Sequence, residues 1–294
     1  MNRENIISLI NGFTIELNPK VRNKIKSIPL NKNNNVYITY LPDASENDIL
    51  ETVEFVSKND LTPITHLPAR TMKDLEHVNS FLSKVRERTD SEKILVIGGG
   101  GNQLGKVTSS FEILESGVLG QYGFKQIGIA GHPEGSPDIS QDIINEFLDK
   151  KYELSQSQNL DLELVTQFFF DAEPFIQWCN GLINRNIALP VRVGFPGPAS
   201  FKTLLNFGIM SGVGNSINFL KKNSAKVTDL LTKTSNDEML SQLADYSQEE
   251  SPLCAFHCFP AVAWYGYSGC LYLGTRQSPA IPSFFMLACA ACAV

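Results

Sequence analysis

Apolar residues along the chain follow two alternating periods. Short runs rich in β-branched and aromatic residues, at 13–17, 36–41, 62–67, 94–98, 126–131, 164–170, 191–195 and 254–259, read as strands. Between them the spacing becomes helical. Ile49, Val53 and Val56 share one face, as do Leu75, Val78, Phe81, Leu82 and Val85. Ile143, Ile144, Phe147 and Leu148 repeat the pattern, and so do Phe175, Cys179 and Leu182. Eight strand–helix units within 294 residues predict one α/β domain, a (β/α)8 TIM barrel. An open doubly wound sheet, which has fewer strands, is the second choice. Residues 212–250 hold more helix than one crossover needs, with separate runs at 217–222 and 238–246. Extra helices are therefore expected before the eighth strand.

In such a barrel the working residues stand at the C-terminal ends of the strands. Polar groups recur at those ends: Glu16, Thr39, His66, the loop 98–102, His132 with Glu134, and Gln167 with Asp171. Any one of them reads equally well as a loop residue. Their recurrence after separate strands makes a ring, and the ring is the candidate site.

Composition and charge narrow the classes. A hydrophobic content of 43% with 19% charged residues is that of a globular chain. The net charge of −6 argues against binding a phosphate backbone, which draws on a surplus of Lys and Arg. No signal-peptide pattern opens the chain, and no strongly apolar uncharged stretch long enough to span a membrane precedes residue 250. A cytoplasmic protein without nucleic-acid or membrane partners is expected. Of the 6 cysteines, all but Cys179 fall at or after Cys254, which is no disulfide framework.

Several motifs invite other chemistry. After Gly100, the pattern Gly105-Lys106 has the spacing of a phosphate loop, but Val107 stands where the Mg²⁺-binding hydroxyl belongs. The same glycines miss the dinucleotide pattern because Gln103 and Leu104 replace its last glycine. Gly98, Gly99 and Gly100 still allow a flat or charged ligand close to the backbone, or simply make a tight turn. Cys254, His257 and Cys258 are metal-ligating types within five residues, but strand alternation splits them between faces and no CxxC pair precedes them. No metal site is expected. No Gly-x-Ser-x-Gly elbow supports a hydrolase. Glu16, partly buried at a strand end, suits general-acid work. Gln167 interrupts an apolar strand, and its amide matches the edge of a pterin-like heterocycle.

Four segments together resemble the methylenetetrahydrofolate reductases, in the short, single-domain bacterial form. They are Phe13-Thr-Ile-Glu-Leu-Asn-Pro19, His66-Leu-Pro-Ala-Arg70, Gly128-Ile-Ala-Gly-His-Pro-Glu-Gly-Ser-Pro137 and Val165-Thr-Gln-Phe-Phe-Phe-Asp171. The match covers roughly residues 10–260. The resemblance implies an FAD-containing flavoprotein oxidoreductase of one-carbon metabolism and methionine biosynthesis. It would reduce 5,10-methylenetetrahydrofolate to 5-methyltetrahydrofolate with NADH or NADPH as co-substrate. By the same resemblance Glu16 is the catalytic acid that protonates the folate, and Gln167 contacts the folate. Thr39, His66, Gly98, Gly99, Gly100, Ala130 and His132 line the flavin, and Lys150 and Lys151 meet its diphosphate. A homo-oligomer is the expected assembly.

Two departures accompany the resemblance. Where the family commonly carries Arg-Gly-Asp after the fourth strand, this chain has Gly98-Gly99-Gly100. Ala263 falls near a folate-contacting arginine, and the apolar, cysteine-containing tail 261–294 has only Arg276 as a charge. The tail is not expected to form the family's last helix, as a change of reading frame near residue 260 would produce. Oxidation of the methylated folate, or a flavin- or folate-binding barrel without catalysis, are the alternative functions.

Overall fold

The structure, a computed structural model, describes residues 9, 12–28, 30–41, 44–99, 103–137, 139–169, 171–196, 235–247 and 251–259. Eight parallel strands close into one barrel in sequence order. They are β1 (Thr14–Leu17), β2 (Asn35–Ile38), β3 (Thr62–Pro68), β4 (Lys93–Ile97), β5 (Gln126–Gly131), β6 (Asp161–Phe168), β7 (Val191–Pro196) and β8 (Leu253–Phe259). The barrel closes where Thr14 pairs with His257 and Ile15 with Cys258. The predicted (β/α)8 TIM barrel is the observed fold.

Helices α1 (Glu46–Lys58), α2 (Leu75–Arg86), α3 (Ser110–Glu115), α4 (Val118–Gln121), α5 (Gln141–Gln158), α6 (Ala172–Asn184) and α7 (Ser235–Tyr246) follow in chain order. A tight 3-10 segment, Pro19–Ser27, follows β1. Most starts are capped by a side chain, as orphan N–H groups require. Ser45 and Asp48 form a reciprocal capping box on α1. Asp74, Ser109 and Asp171 accept from the first turns of α2, α3 and α6. The outer faces of the strands carry Val36, Ile38, Leu67, Val96, Ile129, Leu164 and Val193, all buried against the helices. Leu75 and Ile143, expected on the apolar stripes of α2 and α5, are exposed instead. Each stands in the first turn of its helix, and the buried faces run through Val78–Phe81–Leu82–Val85 and Ile144–Leu148.

The inside of the barrel holds a small apolar middle layer of Tyr37, Ile64, Leu95 and Val165. Below it, near the strand starts, Arg192 clamps Glu163 with Nε at 2.8 Å and a terminal nitrogen at 2.7 Å. Arg192 also donates to the Gly12 carbonyl, and the Tyr37 hydroxyl donates to Glu163. This pair explains why β6 begins at Asp161 rather than at Leu164: a charged residue read as a loop is satisfied inside the barrel.

No helix among the described residues is long and apolar enough to cross a membrane. The expected helical run 217–222, Gly100 and the tail 261–294 lie outside the described residues; the run 238–246 lies within α7.

Candidate functional site

Strand alternation carries the site. On β1 Ile15 and Leu17 join the outer core, which turns Thr14 and Glu16 inward. The same parity aims His66 on β3, Ala130 on β5 and His257 on β8 into the barrel, toward the C-terminal ends. Ala130 follows Gly128 on the inner face; at Gly128 the Leu95 side chain fills the space, its Cδ1 2.8 Å from where a Cβ would stand. Gly98 borders open space at the same rim, where an added Cβ would meet nothing within 4 Å. Gly99 turns the chain back with φ +84°, and a Cβ there would stand 2.9 Å from the Pro68 Cβ.

Three titratable groups meet at this end. His257 Nε2 lies 3.3 Å from Glu16 Oε2, and His257 Nδ1 lies 2.8 Å from Thr14 Oγ1. Burial raises the Glu16 carboxyl above the usual carboxylate range, with His66 opposing in part. Burial lowers His66 to about 4, and its Nε2 is buried with no hydrogen-bond partner. His257 falls to about 3, through burial and then the Arg192 charge, so the ring is neutral. The set is a carboxyl raised by burial beside two imidazoles lowered by it. A carboxyl whose pKa is raised suits proton donation.

The other predicted residues are placed around this centre. Thr39, on the inner parity of β2, is buried and donates its hydroxyl to the Leu17 carbonyl at 3.3 Å. Gln167 is half-buried, and its amide makes no hydrogen bond to a described residue. A register shift between Val165 and Phe168 bends β6 there. Gly194 makes the bend possible: its N–H donates to Thr166 Oγ1 at 2.9 Å, and an added Cβ would lie 2.5 Å from the Gln167 carbonyl. The bend sets Phe168 against Phe259, ring centroids 5.6 Å apart, as an aromatic wall beside Gln167.

His132, just past β5, is lowered to about 4 by burial and then by the Lys151 charge. Lys151 itself is lowered to about 8 by burial. The two lysines of the basic pair part company. Lys151 reaches the rim beside His132, whereas Lys150 lies along α5, bonded to Glu146 at 2.6 Å and 5.0 Å from the Phe147 ring centre. The loop after Gly105 runs without helix to α3 at Ser110, so Lys106 does not open a helix as a phosphate-loop lysine does. Among the described residues no group of three His, Cys, Asp or Glu could hold a metal. Cys258 faces the outer core and Cys254 points to Glu163 at the far end, leaving His257 alone at the site.

His257, Thr14 and Tyr37 were not among the site residues expected from sequence. The signal for His257 was present in β8, where His257 and Phe259 alternate with buried Phe256 and Cys258. Its partners, however, lie 241 and 243 positions away. No family model matches the chain.

Proposed function

We propose that the protein is a methylenetetrahydrofolate reductase, converting 5,10-methylenetetrahydrofolate into 5-methyltetrahydrofolate with NADH or NADPH and FAD. The observation that carries this reading is the buried Glu16 carboxyl, favoured in its protonated form at the open end of the barrel. The residues present fit a flavin. His66 Nε2 is a buried polar atom without a partner, and Gly98 and Ala130 leave a rim that a flat ring can approach. Lys151, cationic below a pH of about 8, suits a diphosphate. Bound there, FAD supplies hydride transfer between the nicotinamide and the folate.

The chain's own residues do the rest. Glu16 gives its proton to the folate nitrogen that leaves when the five-membered ring opens. The electron pair of the O–H bond stays on the carboxylate. Gln167 offers two donors and one acceptor to the pterin edge. Phe168 and Phe259 exclude water from that side. The same groups serve the oxidative direction.

A binding barrel without turnover is the second reading. It is favoured by Gly98 and Gly99, which bring no side-chain charge to the rim. The test is the visible spectrum of the purified protein. Bound FAD, bleached by NADH or NADPH without oxygen, supports the reductase. FAD that no nicotinamide reduces supports the binding barrel. Protein that is colourless and cannot be reconstituted with FAD contradicts both.

A further inference from the structure

The reductase reading uses Glu16 but leaves three polar groups unexplained: the buried His257 beside it, and the half-buried Glu163–Arg192 pair at the opposite end of the barrel. One column of contacts joins them. Arg192 holds both oxygens of Glu163, at 2.8 and 2.7 Å. The Tyr37 hydroxyl donates to the same carboxylate at 3.3 Å. The Tyr37 ring packs edge-on against His257, centroids 4.5 Å apart, and His257 reaches Glu16.

The hydrogen bonds of His257 distinguish the two oxygens of Glu16. A carboxylate accepts and cannot donate, so once Glu16 is ionised its neighbour Nε2 must carry the hydrogen. In a neutral ring Nδ1 is then an acceptor, and the Thr14 hydroxyl donates to it. With Nε2–H directed at Oε2, that oxygen is occupied as an acceptor. The transferable proton belongs on Oε1, which makes no hydrogen bond to a described residue.

The arrangement works only while the ring is uncharged. A cationic His257 would hold Glu16 as a carboxylate with no proton to give. The groups facing His257 are Thr14 and Glu16 on β1, Tyr37 on β2, Phe259 on its own strand, and His66 across the barrel. Glu163 and Arg192 act on it from below with opposite signs. Alone, the Glu163 charge would draw a proton onto the ring; paired, it does not.

We propose that His257 is the positioning residue of the Glu16 acid, fixing the proton on Oε1 through an Nε2–H bond to Oε2, and that Arg192, by holding both oxygens of Glu163, cancels the one charge that would draw a proton onto the buried ring. The proposal rests on Glu16 as proton donor, but its test needs neither flavin nor folate.

The chain has only 4 histidines, so nitrogen NMR of histidine-labelled, full-length protein resolves each ring. In the wild type at neutral pH, His257 is expected as the neutral tautomer with hydrogen on Nε2. A hydrogen on Nδ1, or a charged ring, overturns the proposal without any variant. Arg192→Met is expected to raise the titration midpoint of His257 by about one unit or more. The double variant Arg192→Met/Glu163→Gln is expected to return it to the wild-type range. Should Arg192→Met not fold, Arg192→Gln, which also removes the charge, takes its place with the same expected shift. A midpoint unmoved in a folded Arg192→Met, or a double variant that stays shifted, overturns the role of the pair.

Discussion

The edge of the Tyr37 ring packs on the His257 ring with centroids 4.5 Å apart and planes 61° to one another. That contact passes through the apolar middle layer of the barrel. It joins an ion pair among the strand starts to an acid among the strand ends. Tyr37 therefore has two roles, one for each end: its ring fills the core, and its hydroxyl satisfies Glu163.

Glu16→Gln keeps the shape of the acid and removes its proton. Reduction of the bound flavin by nicotinamide is expected to continue. Reoxidation by methylenetetrahydrofolate is expected to fall by about 10²–10⁴-fold. Stopped-flow absorbance of the two half-reactions checks it, and equal modest losses in both would remove Glu16 from this role. The folate half-reaction of the wild type should also slow as pH rises through the raised pKa of Glu16, because only the protonated form donates.

The buried histidines set an acid limit to stability. His66 takes its proton near 4 when folded against 6.5 in the unfolded chain, and His132 and His257 are lowered as well. The folded state binds fewer protons across that window. The contribution is therefore complete above pH 6.5 and is lost as pH falls toward 4. Thermal melts from pH 7 to 4 are expected to show a falling midpoint, with a shallower slope in His66→Gln. An identical slope in that variant would exclude His66 as a source.

Lys151 and Lys150 are adjacent in sequence and differ in place, and this decides a comparison. Lys151→Met is expected to weaken FAD about 10–100-fold, the loss of a charge-assisted hydrogen bond. Lys150→Met, whose wild-type ammonium is engaged by Glu146, is expected to change it little. Wild-type affinity should decline as pH rises through about 8, where Lys151 loses its charge. Flavin titrations followed by fluorescence read all three.

Gly194→Ala places a methyl group against the Gln167 backbone, where 2.5 Å is available. Overpacking of this kind costs about 1–3 kcal/mol. The bend of β6 must shift, so the folate KM is expected to rise more than the nicotinamide KM. Denaturant melts and steady-state kinetics separate the two effects.

The eight strands were legible because their outer faces are β-branched and apolar, and the helices because residues such as Val78, Phe81, Leu82 and Val85 keep one stripe. The early start of β6 was not. Glu163 is charged, and only its tertiary partner Arg192 makes that charge acceptable inside the barrel. The ring at the strand ends was legible residue by residue, since alternation alone puts Glu16 and His66 inside. The relation between Glu16 and His257 was not, because it depends on β1 meeting β8 at barrel closure. Neither the separation of Lys151 from Lys150 nor the bend before Phe168 follows from local spacing. Each is fixed by what packs on α5 and by the close approach of Gly194 to β6.

The central claim is that this barrel end reduces a methylene-bearing folate with a proton from Glu16. The most direct measurement starts from purified protein loaded with FAD and reduced by NADH or NADPH without oxygen, then mixed with 5,10-methylenetetrahydrofolate. The account predicts that the oxidised flavin spectrum returns, with one 5-methyltetrahydrofolate formed for each flavin. A flavin that stays reduced in the presence of the folate, while oxygen still reoxidises it, would contradict the claim.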